Sequence, residues 1–339
     1  MLRIGIDLMG SDSSPTIIFD ALIQALDQLD PSLRLIALAT QSVIDEHRAK
    51  AKTSLPAEKF NRLTFLPVAN FIEMGEDPLI ALRQKKRSSI AIGIKLLKKK
   101  QIDALVSAGN TGALVASATL SLPKLPGITR PALLATLPTK NGSLAIVDVG
   151  GNVSCKAEHL VKYAYMGAAY QKCTSGIKIP KIGLLNIGSE SKKGTSVVRK
   201  AYQLLKDVCQ HSIDGVPYME FHGNIEGREV FYGKVDVLVT DGFTGNILVK
   251  TSEGLADFIF EYLRETRQDH PLNFLQEPLE YLQTLFYYAE YQGALLCGVE
   301  GLVIKCHGHS NTKAFFNSIK GVSHMIKNNL LMQIRDALN

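Results

Sequence analysis

Along the whole of this 339-residue chain, short apolar runs rich in Val, Ile and Leu alternate with longer segments of helical period. That alternation confines the fold more than any other feature. It predicts an α/β unit with a mostly parallel sheet and helices on both faces, a three-layer α/β/α arrangement. Strands are predicted at 2–7, 34–40, 63–69, 103–108, 132–137, 143–149, 181–187, 235–240 and 301–306. Helices are predicted at 78–100, 111–121, 156–174, 194–208, 244–266 and 311–328. A further helix starts at Pro15, with Ser13 and Ser14 as candidate caps and Ile18, Leu22, Ala25 and Leu29 on one face.

No linker or internal repeat divides the chain, so one domain over 1–339 is expected. One segment departs from the pattern. Residues 255–291 read as a helical excursion, broken near His270-Pro271 and carrying nine aromatic residues. Such crowding suits a core or subunit interface, or else a surface that touches a membrane or an acyl chain.

Composition narrows the function classes. A chain that is 46% hydrophobic with a net charge of +6 is no disordered segment. No run of 18 apolar residues is present, and Met1–Asp7 enters a strand pattern directly, so neither a membrane span nor a signal peptide is expected. The five cysteines are odd in number and none is paired as C-x-x-C, which argues against a zinc site or disulfide framework and for a cytoplasmic home. Basic residues gather at Arg83-Gln84-Lys85-Lys86-Arg87 and Lys98-Lys99-Lys100. Without interleaved aromatics they do not suggest nucleic acid; they read as solvated faces or as a dock for an acidic partner.

The chemistry lies where strands end. Seven segments combine glycine with small polar residues: Met9-Gly10-Ser11-Asp12, Ser107-Ala108-Gly109-Asn110-Thr111-Gly112, Asp148-Val149-Gly150-Gly151-Asn152, Asn186 to Thr195, His222 to Gly227, Thr240-Asp241-Gly242-Phe243-Thr244-Gly245-Asn246, and His307-Gly308-His309-Ser310-Asn311. In open α/β sheets ligands bind outside the carboxyl ends of strands. Glycine admits close approach, helix starts offer N–H groups to anions, and Ser, Thr and Asn add neutral hydrogen bonds. Together the segments describe a phosphate or pyrophosphate cleft, although each alone is an ordinary turn. Neither a Walker A loop nor a dinucleotide fingerprint is present, and G-x-S-x-G is absent. Lys193, in a glycine-bounded turn, reads equally as a cleft cation or an exposed loop lysine.

In their order and combination these motifs resemble the bacterial phosphate acyltransferase family of phospholipid synthesis, the PlsX enzymes, over about residues 1–325. The segments at 7–12, 107–114, 183–188, 223–227 and 240–246 carry the likeness, with Gly127-Ile128-Thr129-Arg130-Pro131. The chain departs from the family at Ser11, at Gly151, at Gln292 and at His309, small changes within intact loops.

The resemblance implies a fold similar to phosphotransacetylases and isocitrate dehydrogenases, with a protruding helical hairpin and a homodimer. It implies reversible acyl transfer from acyl-[acyl-carrier-protein] to inorganic phosphate, with no cofactor and no metal. A membrane glycerol-3-phosphate acyltransferase would use the acyl phosphate. The hairpin would rest on the inner face of the membrane.

By match to the family's motifs, Lys193 and Asn224 become the catalytic candidates, with Lys192 as an alternative lysine. Gly10, Asp12, Ser107, Asn110, Thr111, Gly112, Asn152, Gly188, Gly194, Asp241, Gly242, Thr244, Gly245, Asn246, His307, Ser310 and Asn311 become candidate phosphate or substrate contacts.

A thioester needs no strong acid, and phosphate needs no strong base; the site must hold phosphate against the carbonyl and stabilise an oxyanion. Backbone N–H groups near Gly188, Gly194 and Gly245 are expected to position phosphate. Lys193 balances its charge, and Asn224 donates to the oxyanion. Two other classes fit less well: a nicotinamide-dependent dehydrogenase, and a non-catalytic scaffold at the membrane.

Overall fold

The computed structural model describes residues 1–338 except 211, 214–215, 270–276, 278–279 and 284–292. Phe274, Phe286, Tyr287, Tyr288 and Tyr291 of the predicted excursion, and Gln292, lie outside the described residues. The fold is α/β, built as two compact units: residues 1–131 with 291–337, and residues 132–290.

The first unit opens with β1 (Leu2–Asp7), α1 (Pro15–Gln28), β2 (Leu33–Ala39), α2 (Gln41–Ser54), α3 (Ala57–Phe60) and β3 (Leu63–Pro67). Then come α4 (Pro78–Gln84), α5 (Ser89–Lys98), β4 (Ala104–Ser107) and α6 (Thr111–Ser121). Ser14 caps α1 through its hydroxyl, with Pro15 in the first turn, and α1 buries Ile18, Leu22 and Ala25 as its period requires. The expected single helix over 78–100 is two. The chain leaves the helix at Lys85, and Ser88 caps α5 from outside, its hydroxyl 3.4 Å from Ala91 N. An internal cap signal thus overrides a continuous apolar period.

The second unit carries β5 (Ala132–Thr139), β6 (Gly142–Val147), α7 (Ala157–Ser175), β7 (Lys181–Asn186) and α8 (Ser196–Val208). A small antiparallel pair follows, β8 (Ser212–Ile213) and β9 (Val216–Pro217), then β10 (Glu220–Glu226), β11 (Val237–Val239) and α9 (Gly242–Asp269). Its strands run in the order β10-β7-β11-β6-β5, parallel except for β5 with β6. Leu144, Ile146, Ile225, Val235 and Leu238 form a buried core there.

The segment His222 to Gly227, expected as a strand-end loop, lies mostly inside β10. Gly223 takes φ +86, and the pairing to β7 shifts between Phe221 and Asn224. A bulge in an edge strand therefore carries the turn-like residues.

The chain returns to the first unit as β12 (Ala294–Cys297), β13 (Leu302–Lys305) and two helices, Thr312–Lys327 and Leu330–Leu338. That unit's order is β12-β13-β4-β1-β2-β3, parallel except for β12 with β13. Asp7, Ser107 and Lys305 fall in one register row at neighbouring strand ends. Among the described residues no helix is long and apolar enough to cross a membrane.

Candidate functional site

In the first unit the strand-end loops fasten one another. Ser107 Oγ donates to Asp7 Oδ2 at 2.8 Å and accepts from Gly109 N at 3.1 Å. Asp7 is fully buried, and desolvation pushes its carboxyl up to about 6 against the hydrogen bonds from Ser89, Met9 and Ser107 and the nearby Lys305 charge. The Lys305 ammonium is itself buried and donates to Ala108 O and Cys306 O.

Asn110 directs both ends of its amide at the protein. Nδ2 lies 3.2, 3.0 and 3.1 Å from the carbonyl oxygens of Glu73, Met74 and Glu76, while Oδ1 caps α6 by accepting from Ala113 N at 3.0 Å. Thr111 opens that helix exposed, and Gly112 lies so close to Pro78 that an added Cβ would meet its Cγ at 2.5 Å.

Gly10, at φ +69, passes so near Ile72 that a Cβ would meet the Ile72 carbonyl oxygen at 2.4 Å. Ser11 Oγ donates to Gly308 O at 2.8 Å, and Ser13 Oγ lies 2.9 Å from Ser310 O. His307 O accepts from Ser310 N at 3.2 Å, Asn311 caps the helix that follows, and His309 Nδ1 sits 3.5 Å from Asp12 Oδ2. Gly10, Asp12, Ser107, Asn110, Thr111, Gly112, His307, Ser310 and Asn311 therefore share one unit.

The second unit is arranged differently. β7 ends at Asn186 and runs into the loop that carries Lys193. Two asparagines brace that loop. Asn186 Nδ2 donates to Lys193 O at 3.1 Å while its Oδ1 accepts from Ile187 N at 2.8 Å. Asn224 Nδ2, on β10, donates to Glu190 O at 2.9 Å, and Lys193 N donates to the same oxygen at 3.1 Å. Gly194 adopts φ +85 with no room for a Cβ, which would meet Asn186 Oδ1 at 2.3 Å. The stem of Lys193 crosses Gly188, its Cγ 3.2 Å from where a Cβ there would stand. Both Lys192 and Lys193 are exposed.

Asn224 was expected to donate to an oxyanion. Its amide hydrogens are instead committed to loop carbonyls, and what lies open is the acceptor: Oδ1 is buried with no hydrogen-bond partner among the described residues. Leaving a buried acceptor unmet costs about 1–3 kcal/mol.

The N–H expected of Gly245 is taken by Asp241 O at 2.9 Å, and that of Gly242, another candidate contact, by Asn152 O at 2.8 Å. The start of α9 is capped by Asp241, whose carboxylate accepts from Thr244 N at 2.8 Å and Thr244 Oγ1 at 2.9 Å. A helix start that holds its own carboxylate has little field left for an outside anion. The lysine loop is left as this unit's anion-binding candidate.

Asp148 supports the neighbouring turn. Oδ1 accepts from Leu133 N, Gly150 N and Gly151 N, and Oδ2 from Asn152 Nδ2 at 2.9 Å. Burial raises its carboxyl, and those donors oppose the shift. Asn246 closes over Gly150. Asn186, Asp148 and Asp7 did not figure among the sequence candidates, although each occupies or adjoins a strand end, the position that marked the others.

Beside the lysine loop an open groove of about 900 Å³ runs across the carboxyl ends of β7 and β11. Leu184, Leu185, Val197, Val198, Ile247 and Leu248 are among its lining residues, with Gly194 and Thr195 of the loop. Asp241 is the one charged residue among the described residues that line it.

The chain aligns with a phosphotransacetylase from Streptococcus pyogenes at TM-score 0.63 and 15% identity, over 98% of this chain and 94% of that one. That likeness defines an α/β architecture of the phosphotransacetylase kind. The sequence goes further. The model of a family described as "Fatty acid synthesis protein" matches residues 2–333. The phosphate acyltransferase of Chlamydia pneumoniae is 39% identical over 335 residues, 98% of each chain. That of Thermoanaerobacter pseudethanolicus is 37% identical over 342 residues, 99% of this chain and 97% of its own. The chain belongs to this phosphate acyltransferase family, and it is an acyltransferase.

Proposed function

We propose that the protein transfers a fatty acyl group reversibly from acyl-[acyl-carrier-protein] to inorganic phosphate, giving acyl phosphate for phospholipid synthesis. The observation that carries this reading is the lysine loop: an exposed cation on a loop braced by Asn186 and Asn224, whose own buried amide oxygen has no partner among the described residues.

Lys193 balances the phosphate charge while Gly188 and Gly194 let the anion come close. A phosphate oxygen adds to the thioester carbonyl carbon. The oxyanion collapses, the carbon–sulfur bond breaks, and the carrier leaves as a thiol with the proton that hydrogen phosphate gives up. Asn224 acts through the loop it holds.

The test is phosphate-dependent, hydroxylamine-trappable acyl phosphate from acyl carrier thioester. Lys193→Ala lowers turnover by about 10²–10³, the scale of losing one placed charge-stabilising group. Lys192→Ala stays within a few-fold. Near-native turnover in Lys193→Ala, or an equal loss in both variants, overturns the assignment.

Two surfaces support the wider reading. Arg83, Lys86 and Arg87 are exposed, whereas Lys85 is paired with Glu76 at 2.6 Å, which suits a dock for the acidic carrier. On α9, Leu255, Phe258, Ile259 and Tyr262 are exposed in a row, with the Phe258 and Tyr262 rings 6.3 Å apart. That row supports a homodimer or a bilayer contact at the inner face of the membrane, where the partner glycerol-3-phosphate acyltransferase would receive the product from a cytoplasmic enzyme.

A further inference from the structure

We propose that the groove across β7, β11 and the first turns of α8 and α9 is the binding site of the acyl chain, and that Val198 and Ile247 set how long a chain it accepts. The inference rests on the acyl-transfer reading and adds the place where the donor's hydrocarbon lies.

Four observations favour an acyl chain over other occupants. The size is right: about 900 Å³ falls in the upper part of the roughly 300–1,000 Å³ span of small-molecule sites. The chemistry is right: the one charged lining residue, Asp241, is engaged with Thr244, so no lining cation among the described residues waits for a nucleotide or a second phosphate.

The rim is also unusual. Ile187 is 82% exposed, Val153 78%, Phe243 58% and Ile247 51%, four large apolar side chains around one concavity. Isolated exposed apolar residues need no explanation, but a set around a groove marks a surface that something oily covers. Finally, the groove is continuous with the reacting loop. Gly194 and Thr195 line it, and Lys193 precedes them. A thioester carbonyl held at Lys193 has its chain directed past Thr195 into the space between α8 and α9.

Val198 is half-buried in the first turn of α8 and Ile247 is half-exposed in α9, and neither side chain belongs to the lysine loop or its braces. Each methylene excluded from an apolar site lowers affinity roughly four-fold, so a ring that shuts out two of them lowers it by at least about ten-fold.

The experiment uses the full chain with butanoyl, octanoyl and hexadecanoyl carrier thioesters, and separately with cis-parinaric acid as a fluorescent chain. In Val198→Phe, kcat/KM for the hexadecanoyl donor falls at least about ten-fold relative to the butanoyl donor, and parinarate binding weakens in step. Ile247→Ser, at an exposed position that tolerates a polar side chain, shifts preference the same way by a few-fold and keeps the test open if the ring prevents folding.

Equal loss at every chain length, or unchanged selectivity and binding, overturns the proposal. So does unchanged selectivity together with a lost dimer, which would give the groove to a second copy. Parinarate binding that responds to both variants in a protein without turnover leaves the groove standing and removes the acyl-transfer reading instead.

Discussion

Each unit carries a buried aspartate beside its strand-end loops, and the two are braced unequally. Asp148, in the second unit, accepts from three backbone N–H groups and from the Asn152 amide. Asp7, in the first, accepts from the Met9 N–H and the hydroxyls of Ser107 and Ser89, with the Lys305 ammonium near by. The consequences differ in kind. Asp148 freezes the turn 149–152, whose Asn152 O in turn accepts from Gly242 N at the start of α9, so it fixes one wall of the apolar groove. Asp7 ties the end of β1 to the Ser107 turn beside it, and the cost of its burial shows as a carboxyl pushed up to about 6. Similar glycine-and-asparagine loops are therefore braced differently: in one unit around Asp7, and in the other around an exposed lysine beside an open groove.

The sharpest way to break this contrast is to disturb the brace in the second unit. A Cβ at Gly245 would meet Asp148 O at 1.9 Å and Thr240 Cγ2 at 2.9 Å, so backbone must move. Gly245→Ala is expected to destabilise by roughly 3 kcal/mol, the upper end of overpacking effects, and to lower acyl-phosphate formation sharply below the melting transition. Gly254→Ala, nine residues along the same helix with nothing within 4 Å, serves as the control. It gains about 0.5–1 kcal/mol by helix propensity alone. Urea unfolding of the pair checks both signs; equal behaviour at the two glycines would show that the Asp148 brace does not govern the unit.

The complementary test uses acidity in the first unit. The folded Asp7 carboxyl holds its proton up to about pH 6, whereas the unfolded one releases it near the ordinary 3.8. Between those values the folded state binds more protons, so the contribution of Asp7 is fully present below about pH 4 and is lost as pH rises through 6. At 1.36 kcal/mol per pH unit the loss is about 3 kcal/mol. Subtracting the pH profile of Asp7→Asn from that of the native protein, by urea unfolding from pH 4 to 7, isolates it. A flat difference would mean that the donors around Asp7 offset its burial.

Much of the architecture was legible because its signals are local. Apolar runs located β1, β4, β7 and β11, and Pro15 behind Ser14 located the start of α1. Where the readings erred, a second signal competed with the first. His222-Gly223-Asn224 has turn composition, yet a bulged edge strand tolerates such residues, and only the pairing to β7 reveals it. α2 escaped notice because it buries only Ile44, His47 and Ala51, too few for an apolar stripe. The site was legible as a class of loop and illegible as a division of labour. Asparagine caps helices and binds ligands with the same amide, so Asn110, Asn186 and Asn224 look alike in one dimension. What separates them is which partners the fold delivers.

Asn110 makes that point testable at the smallest scale. The resemblance puts it among the phosphate contacts, but its Nδ2 is surrounded by three carbonyls of the 73–76 turn and its Oδ1 caps α6. No amide hydrogen remains for a phosphate oxygen. Asn110→Ala is therefore expected to cost about 1–2 kcal/mol, the worth of a lost cap together with carbonyls left wanting a donor. The Michaelis constant for phosphate should stay within about two-fold of native, since that loss is structural and falls on free and bound enzyme alike. Asn110→Asp separates the two halves of the amide: it keeps the cap acceptor, loses the donor to the turn, and should recover only part of the melting temperature. If the phosphate constant rose in either variant while the melting temperature held, the loops of the first unit would belong to the site after all, and the division between the two units would fail.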